Sequence, residues 1–248
     1  MANLRKIILF FIIFSGVFYF LRSNAYLSNR ILLADLTGVV ALYSTIGLIF
    51  SFISTFAIQK EWDNWNSLRD SVREEVDSIE ELWLWVDHLK NEAGERIKHS
   101  ILQYLELMIR NGFRQEGDGD QSEEGGQMLI RFRDSIMDVS KDHPDLTTTS
   151  FSLFSDILRH IKDRLRFSSR HLPEIVYGVL TFATILTITL PLLIGVRDIW
   201  LDYVFTSSIA TLAFAIYTVI RDLNQPLRPG GWHLTTRDYE RLLARLKK

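Results

Sequence analysis

The sequence predicts an all-α membrane protein with four spans in two pairs and a cytoplasmic helical bundle inserted between spans two and three. Three observations carry this. Apolar residues gather in two blocks, 1–59 and 174–221, each long enough for two crossings. The stretch 60–173 between them is polar with helical periodicity, and basic residues gather on one side of the spans. The averages, 47% hydrophobic and 23% charged, conceal this partition.

A helix rises about 1.5 Å per residue and the hydrocarbon layer is about 30 Å thick, so about 20 apolar residues make a span. Four stretches approach or exceed that: 7–21 (IILFFIIFSGVFYFL), 36–58, 175–196 and 201–220, the last with Asp202 near its start. Pro191 lies inside the third and is expected to kink it near its end. Two readings of the first stretch stand. Arg5 and Lys6 before it and Ser23-Asn24-Ala25 after it have the pattern of a cleavable signal. Arg22, interposed before that site, and the aromatics Tyr19 and Phe20 favour a retained span.

Basic residues set the orientation. Arg159, Lys162, Arg164, Arg166 and Arg170 precede span three, and a basic tail (222–248) follows span four, whereas the turn between those spans has only Arg197. The insert and C-terminus are therefore expected in the cytoplasm of a cell whose inner membrane holds the spans. The turn carrying Arg22 and Arg30 runs against that rule.

Within the insert, apolar residues recur at three- and four-residue steps from Trp65 through Leu68, Val72, Val76, Ile79, Leu82 and Val86. No breaker occurs at Gln59-Lys60-Glu61, so this helix should continue straight out of span two. A second helix is expected over 95–113, with Ile97, Ile101, Tyr104, Leu105 and Met108 on one side. A third is expected from about Gln127, with Met128, Phe132, Ile136 and Val139. A fourth, bearing Phe154, Ile157, Leu158, Ile161 and Leu165, should run from about Ser150 into span three. The acidic, glycine-rich stretch 114–126 reads as a mobile loop. Such stripes form the core of a bundle; the longest could also pack against a neighbouring subunit.

Several motifs fail on inspection. Asp118, Asp120 and Ser122 have EF-hand spacing, but position six is Glu123 and position twelve is Leu129. His143-Pro144-Asp145 copies the tripeptide of J-domain co-chaperones but fits a helix-ending turn, and Lys141-Asp142 is not the basic helix such a domain uses. With no cysteine there is no disulfide, thiolate metal site or cysteine nucleophile. No histidine pair has metal spacing, and no phosphate loop or nucleophile elbow occurs, so neither an enzyme nor a cofactor is expected. Asp87 with His88, and His160 with Asp163, could be neighbours on helix surfaces. A net charge of −2 gives no reason to expect nucleic acid as a partner.

The spans are polar only through small and hydroxyl residues: Ser44, Gly47, Ser51, Ser54 and Thr55 in span two, Thr181, Thr184 and Thr187 in span three, and Ser207, Ser208 and Thr211 in span four. These serve close helix packing or line a polar cavity. The absence of mid-span charge argues against proton pumping and charge-coupled transport.

The span order and three short segments, 74–82 (EEVDSIEEL), 166–177 (RFSSRHLPEIVY) and 222–231 (DLNQPLRPGG), make the chain similar to the bestrophin-like family of bacterial membrane proteins of unknown function. It departs from that family at 109–115 (IRNGFRQ), where a Glu-Trp-Pro-like element is usual, and at Leu227, where phenylalanine is usual. True bestrophins are pentameric anion channels with an apolar neck lined by span two. The resemblance therefore implies a homo-oligomer in the lipid bilayer, of five subunits on that model, passing an inorganic anion. In span two, Leu48, Phe52 and Phe56 share a face, as do Ile49 and Ile53, and either row could form the constriction or pack against lipid or core. Ser44, Ser51 and Thr55 would form a polar pore or packing face. The alternative is a membrane-anchored helical scaffold or sensor whose insert binds a cytoplasmic partner.

Overall fold

The computed structural model describes residues 2–24, 36–88, 92–113, 119–142, 147–194, 198–228 and 231–247. Among them are eight helices and no strand: α1 (Ala2–Ser23), α2 (Leu36–Asp87), α3 (Glu92–Asn111), α4 (Gly119–Asp142), α5 (Thr147–Ser168), α6 (Glu174–Leu193), α7 (Ile199–Leu223) and α8 (Arg237–Leu246). Four have the length and apolarity to cross a membrane: α1, the first part of α2, α6 and α7.

The chain divides into two compact units. The first comprises Met1–Asp63 with His171–His233; the second comprises Asn64–Arg170 with Leu234–Lys248. The unbroken helix α2, 52 residues long, supplies its apolar part to the first and its amphipathic part to the second.

In the first unit α7 is flanked by α1 and α6. Phe10 stacks on Phe214 at 4.2 Å, and the Ser15 and Tyr203 hydroxyls lie 2.9 Å apart, joining α1 to α7. Leu180 and Ala183 of α6 meet Ala213 and Ile220 of α7, and Phe50 and Ala57 of α2 close the same core. Small residues here let the backbones approach. Pro191 falls in the last turn of α6, which ends two residues later at Leu193.

Three expectations change. The fourth insert helix does not run into span three: α5 stops at Ser168 and α6 starts at Glu174. Pro173 forces this, because the residue before a proline is pushed out of helical geometry; Leu172 is buried in the break. Helix α4 begins at Gly119, inside the stretch read as a loop over 114–126, of which 114–118 lie outside the described residues. The tail 222–248 is not one segment, since its end forms α8 and belongs to the second unit. His143-Pro144-Asp145, Asp118, Arg197 and Arg30 also lie outside the described residues.

The core of the second unit is built from the anticipated stripes. Leu68, Val72, Val76, Ile79, Leu82 and Val86 of α2 are buried, as are Ile97, Ile101, Tyr104 and Leu105 of α3, Phe132 and Ile136 of α4, and Phe154, Ile157 and Ile161 of α5. Of the other stripe residues, Trp65, Met108 and Leu158 are half-buried and Leu165 lies exposed on α5. Tyr239 and Leu242 of α8 complete this core.

Candidate functional site

The first part of α2 has two unlike sides. Phe50 and Ala57 are 6% and 0% exposed and pack with Ile53 and Ile58 against α6 and α7. On the other side Leu48, Phe52 and Phe56 are 60%, 70% and 63% exposed. At 3.6 residues per turn these three, with Ser44, Ser51 and Thr55, fall within about 140° of arc. All six are exposed, so the described residues leave that face uncovered. Of the two apolar rows considered from sequence, Leu48, Phe52 and Phe56 lie open, whereas the other is divided: Ile53 packs against the core and Ile49 is exposed.

The hydroxyls separate likewise. Ser44 donates to the Val40 carbonyl at 2.8 Å and Thr45 to that of Ala41 at 3.0 Å, so in a dry environment their own helix satisfies them. In α6, Thr184 and Thr187 are buried and donate to Leu180 and Ala183, both at 2.8 Å. Ser54, Ser207 and Thr211 also point inward. In spans three and four Thr184, Thr187, Ser207 and Thr211 therefore turn inward, whereas Ser208 and Thr189 are exposed, as are Ser44, Ser51 and Thr55 of span two.

The spans are not free of buried charge. Asp202, in the first turn of α7, is 2% exposed and lies 2.7 Å from the Arg22 guanidinium. Arg22 also donates to the Ile194 carbonyl at 3.1 Å and sits over the Phe18 ring. At the opposite end of these helices, Asp222 accepts from Asn3 at 2.6 Å and from the Gly231 amide at 2.8 Å. A β-carbon on Gly231 would come within 3.0 Å of the Asn3 amide nitrogen, so glycine suits that place. Asn224 caps α7: its side chain accepts from the Leu172 amide at 2.7 Å and its carbonyl from His171 Nδ1 at 2.8 Å. The segments 166–177 and 222–231, separate in sequence, are thus bound to each other.

The second unit contains a polar centre that the sequence reading missed. Glu75 of α2 is fully buried. One of its oxygens accepts from Tyr104 of α3 at 2.6 Å and Tyr239 of α8 at 2.9 Å; the other accepts from Arg164 of α5 at 2.8 Å. Arg164 also lies over the Phe113 ring. Burial first, and the Glu75 charge second, push both phenols well above their ordinary range, so they remain donors. A signal was present: Glu75 falls in phase with Val72, Val76 and Ile79, and Arg164 in phase with Ile157 and Ile161. The surface pairings also differ from expectation. His160 lies 3.1 Å from Glu74, and Asp87 pairs with Lys98 at 2.7 Å. Among the described residues no cluster of histidine and carboxylate could hold a metal.

A helical membrane protein with four apolar helices of spanning length, the second of them packed on one side and exposed on the other, is the class that these features define. The chain belongs to the Bestrophin-like family, whose domain model matches residues 8–228. Its fold is similar to crystal structures of a bacterial bestrophin homologue from Klebsiella pneumoniae. A tyrosine-to-alanine variant matches with TM-score 0.78 and 13% identity over 97% of each chain. An isoleucine-to-threonine variant matches with TM-score 0.76 and 12% identity over 100% of each chain. None of the curated protein sequences matches this one.

Proposed function

We propose that this protein is the subunit of an oligomeric anion channel in a bacterial inner membrane, with the open face of α2 lining the conduit. The observation that carries this reading is the bare face itself. Leu48, Phe52 and Phe56 are each at least 60% exposed while the opposite side of the same helix is buried. Copies arranged about an axis would turn those faces toward one another, enclosing a narrow apolar passage interleaved with Ser44, Ser51 and Thr55. An apolar constriction gates by wetting and drying, and the Ser51 and Thr55 hydroxyls would offer donors to a passing anion, whereas Ser44 donates to its own helix. The fold shared with bacterial bestrophin homologues supports the reading. The charge pattern supports an insert and C-terminus on the cytoplasmic side.

Replacing Phe52 and Phe56 together by alanine should raise halide flux into proteoliposomes several-fold, because a wider passage stays wet. No flux in the wild type together with unchanged flux in the double variant would defeat the reading. Native mass spectrometry of the detergent-solubilised complex should give a pentamer; a monomer has no shared axis and a dimer too few α2 faces to enclose a conduit.

The second unit, with its own core and polar centre, favours one other reading: a membrane-anchored scaffold or sensor for a cytoplasmic partner. Specific, saturable capture of one soluble protein by the full-length complex, without halide flux, would replace the channel reading with this one. No catalytic role is proposed.

A further inference from the structure

Just beyond the apolar part of α2 lies a carboxylate that the conduit does not use. Glu61 is 2% exposed, on the side of the helix that faces the rest of the first unit. Its Oε2 is buried and has no hydrogen-bond partner among the described residues. Burying an unpaired charge is costly, so such a group either takes up a proton or depends on a nearby cation. The cations acting on it are His171, in the break before α6, and Lys60 on its own helix. Lys60 is exposed and its influence is screened by water. His171 is held in place by the Asn224 carbonyl at the end of α7. Next to Glu61 in sequence, Trp62 meets Trp232 edge-on at 4.8 Å.

We propose that Glu61 is a proton-sensitive latch at the end of span two, seated in the first unit at acid pH and released as the pH rises. Burial raises the Glu61 pKa above the ordinary carboxylate range, and His171 and then Lys60 pull it partly back. A raised carboxyl pKa means that the folded state holds the proton more tightly than the unfolded chain. The stabilisation is complete below the unfolded value and is lost as pH climbs through the folded one. As the carboxylate forms, the cost of keeping an unpaired charge buried pushes Glu61 toward water.

The latch does not require conduction; its effect on flux rests on the channel reading. Tryptophan fluorescence of the full-length protein in detergent, titrated from pH 4.5 to 8, reads it directly, because Trp62 adjoins Glu61. The wild type should show a transition that Glu61→Gln abolishes. His171→Gln can still donate to Asn224 but removes the imidazole that lowers the Glu61 pKa, and should move the midpoint up. An identical transition in Glu61→Gln, or none in the wild type, would overturn the latch. Halide flux at the same pH values separates the two ideas. A fluorescence transition that follows Glu61 while flux is absent throughout would sink the channel and leave the latch standing.

Discussion

Asp202 in the first unit and Glu75 in the second are both carboxylates shut away from solvent, at 2% and 0% exposure, and each is bound by one arginine. They are completed differently. Among the described residues, Asp202 has besides Arg22 the Thr206 hydroxyl, a long contact at 3.3 Å. Glu75 adds two phenols from two further helices, so one carboxylate ties α2, α3, α5 and α8 together. The arginines differ as well. Arg22 lies in the last turn of α1 and retains a carbonyl and a ring as partners, while Arg164 is 4% exposed in the middle of a bundle. Asp202 is thus a clasp between two helix ends, and Glu75 a hub. For a buried pair, what the surviving partner can still do decides the cost of losing the other.

The hub should therefore give the largest effect. Glu75→Ala leaves an arginine that cannot shed its proton and two phenols without their acceptor. Losing one member of a buried pair costs about 3–5 kcal/mol. That is a large share of the stability of an ordinary domain, so the second unit should melt well below the wild type in denaturant titrations followed by circular dichroism. A loss under about 1 kcal/mol would mean that water reaches this centre and that hub and clasp are alike.

Arg22→Ala tests the clasp and should cost less. An aspartate stripped of its partner in apolar surroundings can become neutral by taking up a proton. The loss then approaches that of a charge-assisted hydrogen bond, about 1.5–3 kcal/mol, read as a lowered melting temperature in detergent. Restoring neutrality with Arg22→Ala and Asp202→Ala together should recover part of it. A double variant as unstable as the sum of the singles would show that the two side chains do not couple.

The same contrast explains which features could be read from the chain. Period and breaker patterns located the helices because burial stripes recur every three or four residues whatever they pack against; α2 runs on past Gln59-Lys60-Glu61 for this reason. Spacing also placed Leu48, Phe52 and Phe56 on one face. It could not separate that row from the one holding Ile53, because a row facing lipid, core or pore is equally apolar. Glu75 and Arg164 were legible only as charges in phase with a stripe; read as ordinary surface charge, they left the hub unseen. Asp202 was noticed, but its counter-ion lies 180 positions away at the end of another span, and nothing local couples the two. The tail was judged by its charge, although Tyr239 and Leu242, three apart, already marked a buried face.

The smallest expected effect concerns that tail. Tyr239→Phe keeps the ring that packs near Phe113 but removes one of the three donors to Glu75. Tyr104 and Arg164 still serve the carboxylate, so the loss should be about 1 kcal/mol, the net value of a single buried hydrogen bond. Tyr104→Phe should cost a similar amount. If each phenol matters only because the other is present, the double variant will lose less than the sum of the two. If they share the charge between them, it will lose more, because Glu75 is then left with Arg164 alone. Either departure from additivity would show the four side chains acting as one network. Strict additivity would reduce the hub to an ion pair with two independent neighbours, nearer to the clasp of Asp202 than the geometry implies.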